Sequence, residues 1–383
     1  MAKAIITKLL NRAGIDINGT SPWDIQVHDE RFFGKVLRQG SLGLGESYMD
    51  GWWDSTHLDQ FFERLLRRGV PAVSLLNLQE LSWWLKSRLV NLATEEKSVA
   101  VAKRHYDLGN DLYAAMLDPS LAYSCGYWKS LSWDSKCLAA AQSAKYNLIC
   151  RKLGIKAGQK ILDIGCGWGG FARFAAANYQ VQVVGITISK EQAIGAKEKC
   201  QGQPVEILSL DYRKLRHELG PSVHFDHVVS VGMFEHVEPK NYREFMEIAH
   251  ALLKPEGLFL LHTIGGHGFV PGHDPWMRKY IFPVAQLPRR PQIHRSVEDL
   301  FRCRDWHEFG KYYDPTLMAW YERFTQAWPQ LKSRYEDREG GRFFRMWQYY
   351  LLCCAGAFRS GNLELWQIVY SHPEYHDNYH WIR

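Results

Sequence analysis

From Lys160 to Thr263 short apolar runs alternate with stretches of mixed polarity. Lys160–Ile164, Val181–Ile188, Val205–Ser209, Asp226–Val231 and Gly257–Thr263 are each five to eight residues long, which predicts buried strands. Gly169–Asn178, Lys190–Lys199 and Asn241–Leu253 lie between them and predict helices; Pro288–Ser296 predicts another after the fifth run. Repeated βα units of this kind build an α/β domain whose largely parallel sheet is covered on both faces. Ligands of such sheets lie at the carboxyl ends of the strands, near the switch in strand order. Thr316–Trp328 and Arg342–Phe358 predict two more helices, and Leu363–Ser371 a last strand.

The first ninety residues read differently. MAKAIITKLLNRAG predicts a short amphipathic helix, too charged for a secretory leader. Gly40–Trp53 is dense in glycine and aromatics and predicts turns within a small packed domain. Leu58–Arg68 places Phe61, Phe62, Leu65 and Leu66 on one side and arginines elsewhere, a helix with a basic polar face. Leu78–Leu92 carries Trp83, Trp84, Lys86 and Arg88, a pattern that suits either a membrane surface or packing within its own domain. The polar stretch Ala93–Ser98 divides the chain into a small domain at 1–92, a linker at 93–98 and a larger domain at 99–383. Within Arg104–Trp128 a central helix is expected, capped by Asn110 or Asp111, ending in the cluster Tyr123, Ser124, Cys125 and Tyr127. A helical pattern over Ser135–Leu153 leads into a glycine-rich stretch.

Composition adds three limits. With 383 residues, 46% hydrophobic and 14% aromatic, the chain can fill two cores and is not a disordered one. The net charge of +6 permits an anionic surface as partner without requiring one. Eight cysteines form no C-x-x-C pair, which fits buried thiols in a reducing compartment. No run approaches the length of a membrane span, so a cytoplasmic protein with at most peripheral membrane contact is expected. His267, His273 and His294 match no common ligand spacing, and no metal is expected.

The glycine-rich stretch KILDIGCGWGGF, Lys160–Phe171, reads as a strand, a tight turn and a helix start. Its spacing Gly165-x-Gly167-x-x-Gly170 also fits a dinucleotide loop, so the loop alone leaves two cofactor classes open. A nicotinamide site needs an acid at the end of the second strand; here Thr187 and Ile188 stand there, with Gln192 nearby. Asp163, inside the strand, is costly to bury unless a ligand ammonium or N–H groups meet it. Asp-x-Gly-x-Gly-x-Gly is the pattern of S-adenosylmethionine (SAM)-dependent methyltransferases, and Asp163, Gly165, Gly167 and Gly169 resemble it closely. Glu235 and His262 are expected at the ends of the fourth and fifth strands, facing each other across the pocket mouth.

Longer motifs narrow the family. YSCGYW (Tyr123–Trp128), GITISKEQ (Gly185–Gln192), SVGMFEHV (Ser230–Val237), LLHTIG (Leu260–Gly265), YYDPTLMAWYERF (Tyr312–Phe324), GLGESYMDGWW (Gly43–Trp53) and CAGAF (Cys354–Phe358) resemble the cyclopropane-fatty-acyl-phospholipid synthases along almost the whole chain. The resemblance implies a Rossmann-like class I methyltransferase sheet, mostly parallel with seven strands, beside a small N-terminal α+β domain. It implies methyl transfer from SAM to the cis double bond of an unsaturated acyl chain in a phospholipid. A carbocation forms, and loss of a proton to bound bicarbonate closes the ring. The family's bicarbonate residues map onto Cys125, Glu235, His262, Tyr313 and the backbone of Ile264. Glu235 would accept the bicarbonate O–H or orient His262. Cys354 is the weaker candidate, since a carbocation route needs no thiol nucleophile and Cys354 lies in an apolar helix.

For SAM, the matching positions are Tyr123 and Ser124 at the methionine end, the loop glycines, Thr187, Ile188 and Gln192 at ribose and adenine, and Asp211 and Tyr212 beside the adenine. Tyr123, Tyr127, Trp168, Phe234, Trp276 and Tyr280 are expected to line a dry acyl channel, and the arginines of Gly265–Arg304 to meet anionic headgroups. The family expectation is a homodimer at the inner face of the cytoplasmic membrane; nucleic acid is not an expected partner. A small-amine N-methyltransferase, an acyl methyltransferase with a branched or methylene product, and a non-catalytic lipid-binding protein are the rival readings.

Overall fold

The computed structural model describes residues 1–69, 109–266, 274–283, 285–376 and 378–383. The helix expected over Leu78–Leu92 and the linker at Ala93–Ser98 lie outside them, as do His267 and His273. The described chain falls into two compact units that do not follow the linear division expected from the sequence. Residues 274–283 and 313–364 belong with the N-terminal segment in the first unit, and the second holds 109–266, 285–312 and 365–383.

The first unit is mainly helical. Helix Ala2–Arg12 is followed by strand β1 (Gln26–Val27), helix Arg31–Met49, strand β2 (Trp53–Asp54) and helix Leu58–Arg67. Strands β1 and β2 pair antiparallel. The turns expected over Gly40–Trp53 are a helix as far as Met49, kinked at Gly40 where φ is 58°. Its glycines serve close approach instead: a Cβ on Gly45 would stand 2.3 Å from the Trp276 ring. Helix Tyr313–Tyr335 is longer than its apolar core suggested, helix Phe343–Arg359 lies one residue from its expected place, and together they complete the unit.

The second unit is the α/β domain. Its sheet strands are β3 (Lys160–Ile164), β4 (Gln182–Thr187), β5 (Val205–Ser209), β6 (Phe225–Val231), β7 (Leu253–Gly266), β8 (Arg302–Glu308) and β9 (Leu363–Ser371, of which all but the first two residues lie in this unit). Their order is β5-β4-β3-β6-β7-β9-β8. Strands β3 to β7 pair in parallel, and β8 pairs antiparallel with β9. Helices Gly170–Tyr179, Lys190–Lys199, Tyr242–Leu252 and Arg290–Val297 fall where the sequence pattern predicts them, within two residues at each end. Strand β8 is not foreseen by that pattern; its sequence RCRDWHE is polar and only Asp305 is buried in it.

The apolar faces of the strands feed two clusters. Leu162, Ile164, Phe234, Phe245, Phe259 and Trp366 lie in one, and Ile161, Val183, Val229 and Leu260 with helix residues Ile149 and Phe171 in the other. This double burial is what a near-continuous apolar strand requires. Strand order reverses between β3 and β6, so the turns after these two strands bound the crevice of the sheet.

Candidate active site

The turn after β3 is built from glycines whose backbone no side chain tolerates easily. Gly165, Gly167 and Gly169 have φ of 89°, 56° and 77°, in the left-handed region that favours glycine. A Cβ on Gly165 would stand 2.6 Å from Met233 in the turn after β6, so the two turns touch at the switch point. A Cβ on Gly167 would meet nothing within 4 Å, which leaves its backbone open for a ligand to approach. The N–H groups of Gly165 and Cys166 both donate to the Ile186 carbonyl, at 3.0 and 2.9 Å, and hold the turn against β4.

Asp163 lies beneath this turn, 2% exposed, and its Oδ2 has no hydrogen-bond partner among the described residues. Burial pushes its carboxyl up to about 7, partly offset by the Lys145 ammonium. An orphaned carboxylate oxygen beside an open glycine backbone suits a ligand that carries an ammonium, as SAM does.

Ser124 is held by a helix that the sequence pattern marks only as a lead-in to the glycine loop. Gln142 Nε2 donates to the Ser124 carbonyl at 2.8 Å and Lys145 Nζ to its Oγ at 2.6 Å. Both side chains are fully buried on helix Leu138–Leu153. A signal is present in the chain: two polar residues stand three apart on the face that carries Leu138, Ala141 and Ile149. Burial draws Lys145 down to about 8, against the pull of Asp118, Cys125 and Asp163. Neighbouring Tyr123 packs edge-on to Tyr113, which also meets Trp168. Helix Asn110–Met116 begins at Asn110, so the cap position falls on Gly109 and not on Asn110 or Asp111. The Asn110 amide oxygen accepts from the Trp168 indole at 3.3 Å instead.

After β4, Thr187 Oγ1 donates to Gln192 Oε1 at 2.8 Å, while Ser189 caps the next helix by accepting from the Gln192 N–H. Thr187 and Gln192 are buried, and Ile188 is half-buried between them. Asp211 is turned to its own neighbour: it accepts from the Arg213 backbone and guanidinium, which keeps its carboxyl below the usual range despite burial. Tyr212 is a core residue against Phe245, with its hydroxyl raised by burial.

The ends of β6 and β7 carry the titratable pair. Glu235 Oε1 accepts from the Ile264 N–H at 2.7 Å, while Oε2 is buried with no hydrogen bond of normal geometry. Burial pushes the Glu235 carboxyl up to about 7; the N–H groups of Ile264 and Glu235 and the Thr263 hydroxyl oppose the rise. His262 is 1% exposed and pairs through Nδ1 with the Gln367 amide at 3.2 Å. Its Nε2 has no partner among the described residues. Burial, then the charges of Lys145 and Lys152, hold it well below the usual histidine range, so it is neutral.

Two expectations change here. Gln367, not Glu235, orients His262, and the Ile264 N–H expected as an anion donor is already taken by Glu235. Cys125 is fully buried, its thiol donating to the Gly126 carbonyl at 3.1 Å. Its surroundings include the Tyr312 hydroxyl, in an aromatic group with Tyr127 and Phe309 that reaches the His262 ring at 5.7 Å.

The second unit therefore brings together Ser124, Cys125, Asp163, the glycine loop, Glu235, His262 and Ile264. Tyr313 and Cys354 belong to the first unit. There Tyr313 stacks on Phe358 at 4.4 Å, and Cys354 is half-buried on helix Phe343–Arg359 beside Cys353. Of the aromatics expected in the acyl channel, Phe234 is a core residue stacked on Tyr242, and Trp276 and Tyr280 lie in the first unit. Lys279 there pairs with Glu46.

Comparison with known proteins places the chain in a family. The family model of mycolic acid cyclopropane synthetase matches residues 93–368. The cyclopropane-fatty-acyl-phospholipid synthase of Escherichia coli K12 is 51% identical over 367 residues, covering 96% of this chain and 92% of that protein. Among solved structures, a mycolic acid cyclopropane synthase complexed with SAH and CTAB shares 29% identity at a TM-score of 0.62, over 71% of this chain and 97% of its own. Coclaurine N-methyltransferase, at 18% identity and a TM-score of 0.69 over 86% of this chain and 98% of its own, shares the fold. With that agreement along the chain and a SAM-type loop at the switch point, the protein belongs to the cyclopropane-fatty-acyl-phospholipid synthases, a family of SAM-dependent methyltransferases.

Proposed function

We propose that the chain methylates the cis double bond of unsaturated acyl chains in membrane phospholipids and closes a cyclopropane ring, with SAM as donor and bicarbonate as base. The observation that carries this reading is the buried pair at the ends of β6 and β7, in which Glu235 Oε2 and His262 Nε2 both lack a hydrogen bond of normal geometry among the described residues. SAM, when bound, supplies an electrophilic methyl on sulfur; bicarbonate, when bound, supplies a proton acceptor.

Every other part is played by the chain. An alkene is a weak nucleophile, so it reacts only where water is excluded and the reacting atoms are aligned. Burial of Cys125, Glu235 and His262 meets the first need. The glycine loop, Asp163, Ser124 and Tyr123 would hold the amino-acid end of SAM, and Thr187, Ile188, Gln192, Asp211 and Tyr212 its nucleoside end. Neutral His262, whose Nδ1 is engaged by Gln367, offers Nε2 to an anion, and the Cys125 thiol is proposed for the same anion. Glu235, with its carboxyl pushed up to about 7, can present a proton to bicarbonate oxygen instead of repelling it. Bracing the Ile264 N–H fixes that carboxyl in place. Tyr313 is proposed for the same set on its motif alone.

The substrate and product are tested by gas chromatography of lipid methyl esters after expression in a host that lacks cyclopropanes. A cyclopropane peak is expected. Methyl-branched or methylene esters would favour the second acyl reading, and unchanged lipids with methylation of a small amine would overturn the proposal. Anionic bilayers are the proposed partner, approached from the cytoplasmic side by a homodimer. Flotation with anionic and neutral vesicles tests the first point, and equal binding to both would sink it. Among the described residues no helix is long and apolar enough to cross a membrane.

A further inference from the structure

Lys145 is a charged side chain with no solvent exposure, on a helix face it shares with Ala141, Gln142 and Ile149. Among the described residues its one hydrogen bond is to Ser124 Oγ at 2.6 Å. A protonated amine has no lone pair, so in this bond the hydroxyl oxygen must accept. The single proton of the Ser124 hydroxyl is then directed away from Lys145 and is free to be donated elsewhere. Because the bond is charge-assisted, it also polarises that O–H and makes it a stronger donor.

The rest of Ser124 is fixed as well. Gln142, one helical turn before Lys145, holds its carbonyl at 2.8 Å. On the other side a Cβ on Gly232 would stand 3.7 Å from the Ser124 Cβ, so the residue faces the turn after β6 at the switch point. A buried ammonium is costly on its own, and the acids that stabilise it here are Asp118 and Asp163. Asp118 is already occupied by the N–H groups of Ser120 and Ala122, at 3.0 Å each.

We propose that Lys145 is a positioning residue: it locks the Ser124 hydroxyl with its proton turned toward the crevice, to donate to the carboxylate at the amino-acid end of the methyl donor. This rests on the reading that Ser124 meets that end of SAM, and it adds a residue that acts only through Ser124. A brace needed merely for folding would affect every ligand of the crevice alike. A hydroxyl-directing cation affects only ligands that carry the carboxylate.

The test is the affinity of the purified protein for two probes, S-adenosylhomocysteine and 5′-methylthioadenosine, the second lacking the amino-acid end. It is measured by calorimetry in Lys145→Met, Lys145→Gln, Ser124→Ala and the Lys145→Met/Ser124→Ala double variant, with melting temperatures taken alongside. Both Lys145 variants lack the ammonium, so either one that folds is sufficient. A Lys145 variant and Ser124→Ala should each lose about tenfold or more in S-adenosylhomocysteine affinity, with less than about twofold change for methylthioadenosine. The double variant should be no worse than the poorer single one. Equal loss for both probes in the Lys145 variants, or additive losses, would overturn the directing role. Unchanged S-adenosylhomocysteine affinity in Ser124→Ala would instead overturn the placement of Ser124 at the donor. Failure of both Lys145 variants to fold, while Ser124→Ala folds with full stability, would assign Lys145 to the core and also end the proposal.

Discussion

Two sets of buried titratable groups in this molecule are treated in opposite ways. In the first unit, Arg359 reaches Asp314 through two bonds of 2.8 Å and Asp59 through one of 2.6 Å. Those carboxylates are 6% exposed, and both are met by the guanidinium. In the second unit, Asp163, Glu235 and His262 are as deeply buried, yet each keeps one polar atom without a hydrogen bond of normal geometry among the described residues. Burial without full satisfaction is expensive. The contrast teaches that the first cluster ties helices together, while the second leaves polar atoms open, which suits the ligand role proposed for it.

The comparison can be broken in several places. The largest effect is expected at the site: Glu235→Gln and His262→Ala should each lose about 10²-fold or more in turnover, while SAM affinity measured by calorimetry is retained. Loss of SAM affinity as the main defect in both would contradict the role given to them. In the first unit, Arg359→Met leaves two buried carboxylates facing no cation and should cost about 3 kcal/mol, the low end for a broken pair because the guanidinium is partly exposed. Urea unfolding reads this directly, and a loss below ~1 kcal/mol would show that the cluster is no tie.

A smaller effect separates the two clusters by pH. Burial raises Glu235 from 4.5 to about 7 and Asp163 from 3.8 to about 7. Between those values the folded chain holds protons that the unfolded chain has released, so stability falls as pH rises through the window. Glu235→Gln keeps an acceptor for the Ile264 N–H and removes the Glu235 share of this loss, which amounts to at most ~3 kcal/mol. Its melting temperature should therefore exceed the parent's by more at pH 8 than at pH 5; the same gain at both would refute the assigned burial cost. The smallest effect is expected at Cys354. On a helix in the first unit, it should tolerate alanine with turnover within about twofold and a stability change below ~1 kcal/mol.

How much of this is legible in the chain depends on the range of the interactions. Strands β3 to β7 and their helices are readable because each buries a local apolar run whose period needs no partner to be seen. The helix over Gly40–Met49 reads as turns because glycine looks the same whether it bends a turn or makes room for a ring, and Trp276 is far along the chain. Strand β8 is invisible in the pattern because its residues are polar and its pairing comes from β9, some sixty residues later.

The site divides along the same line. By itself the sequence determined the parallel sheet, the glycine loop with Asp163 behind it, and the delivery of Glu235 and His262 to strand ends. These follow from patterns within a few residues of one another. Only the tertiary structure decided what those groups do to each other. It joined Lys145 to Ser124, Gln367 to His262 and Ile264 to Glu235 across separations of 21, 105 and 29 residues. Such pairs leave no periodic trace, and the burial that raises two acids and neutralises a histidine exists only once the chain has closed around them.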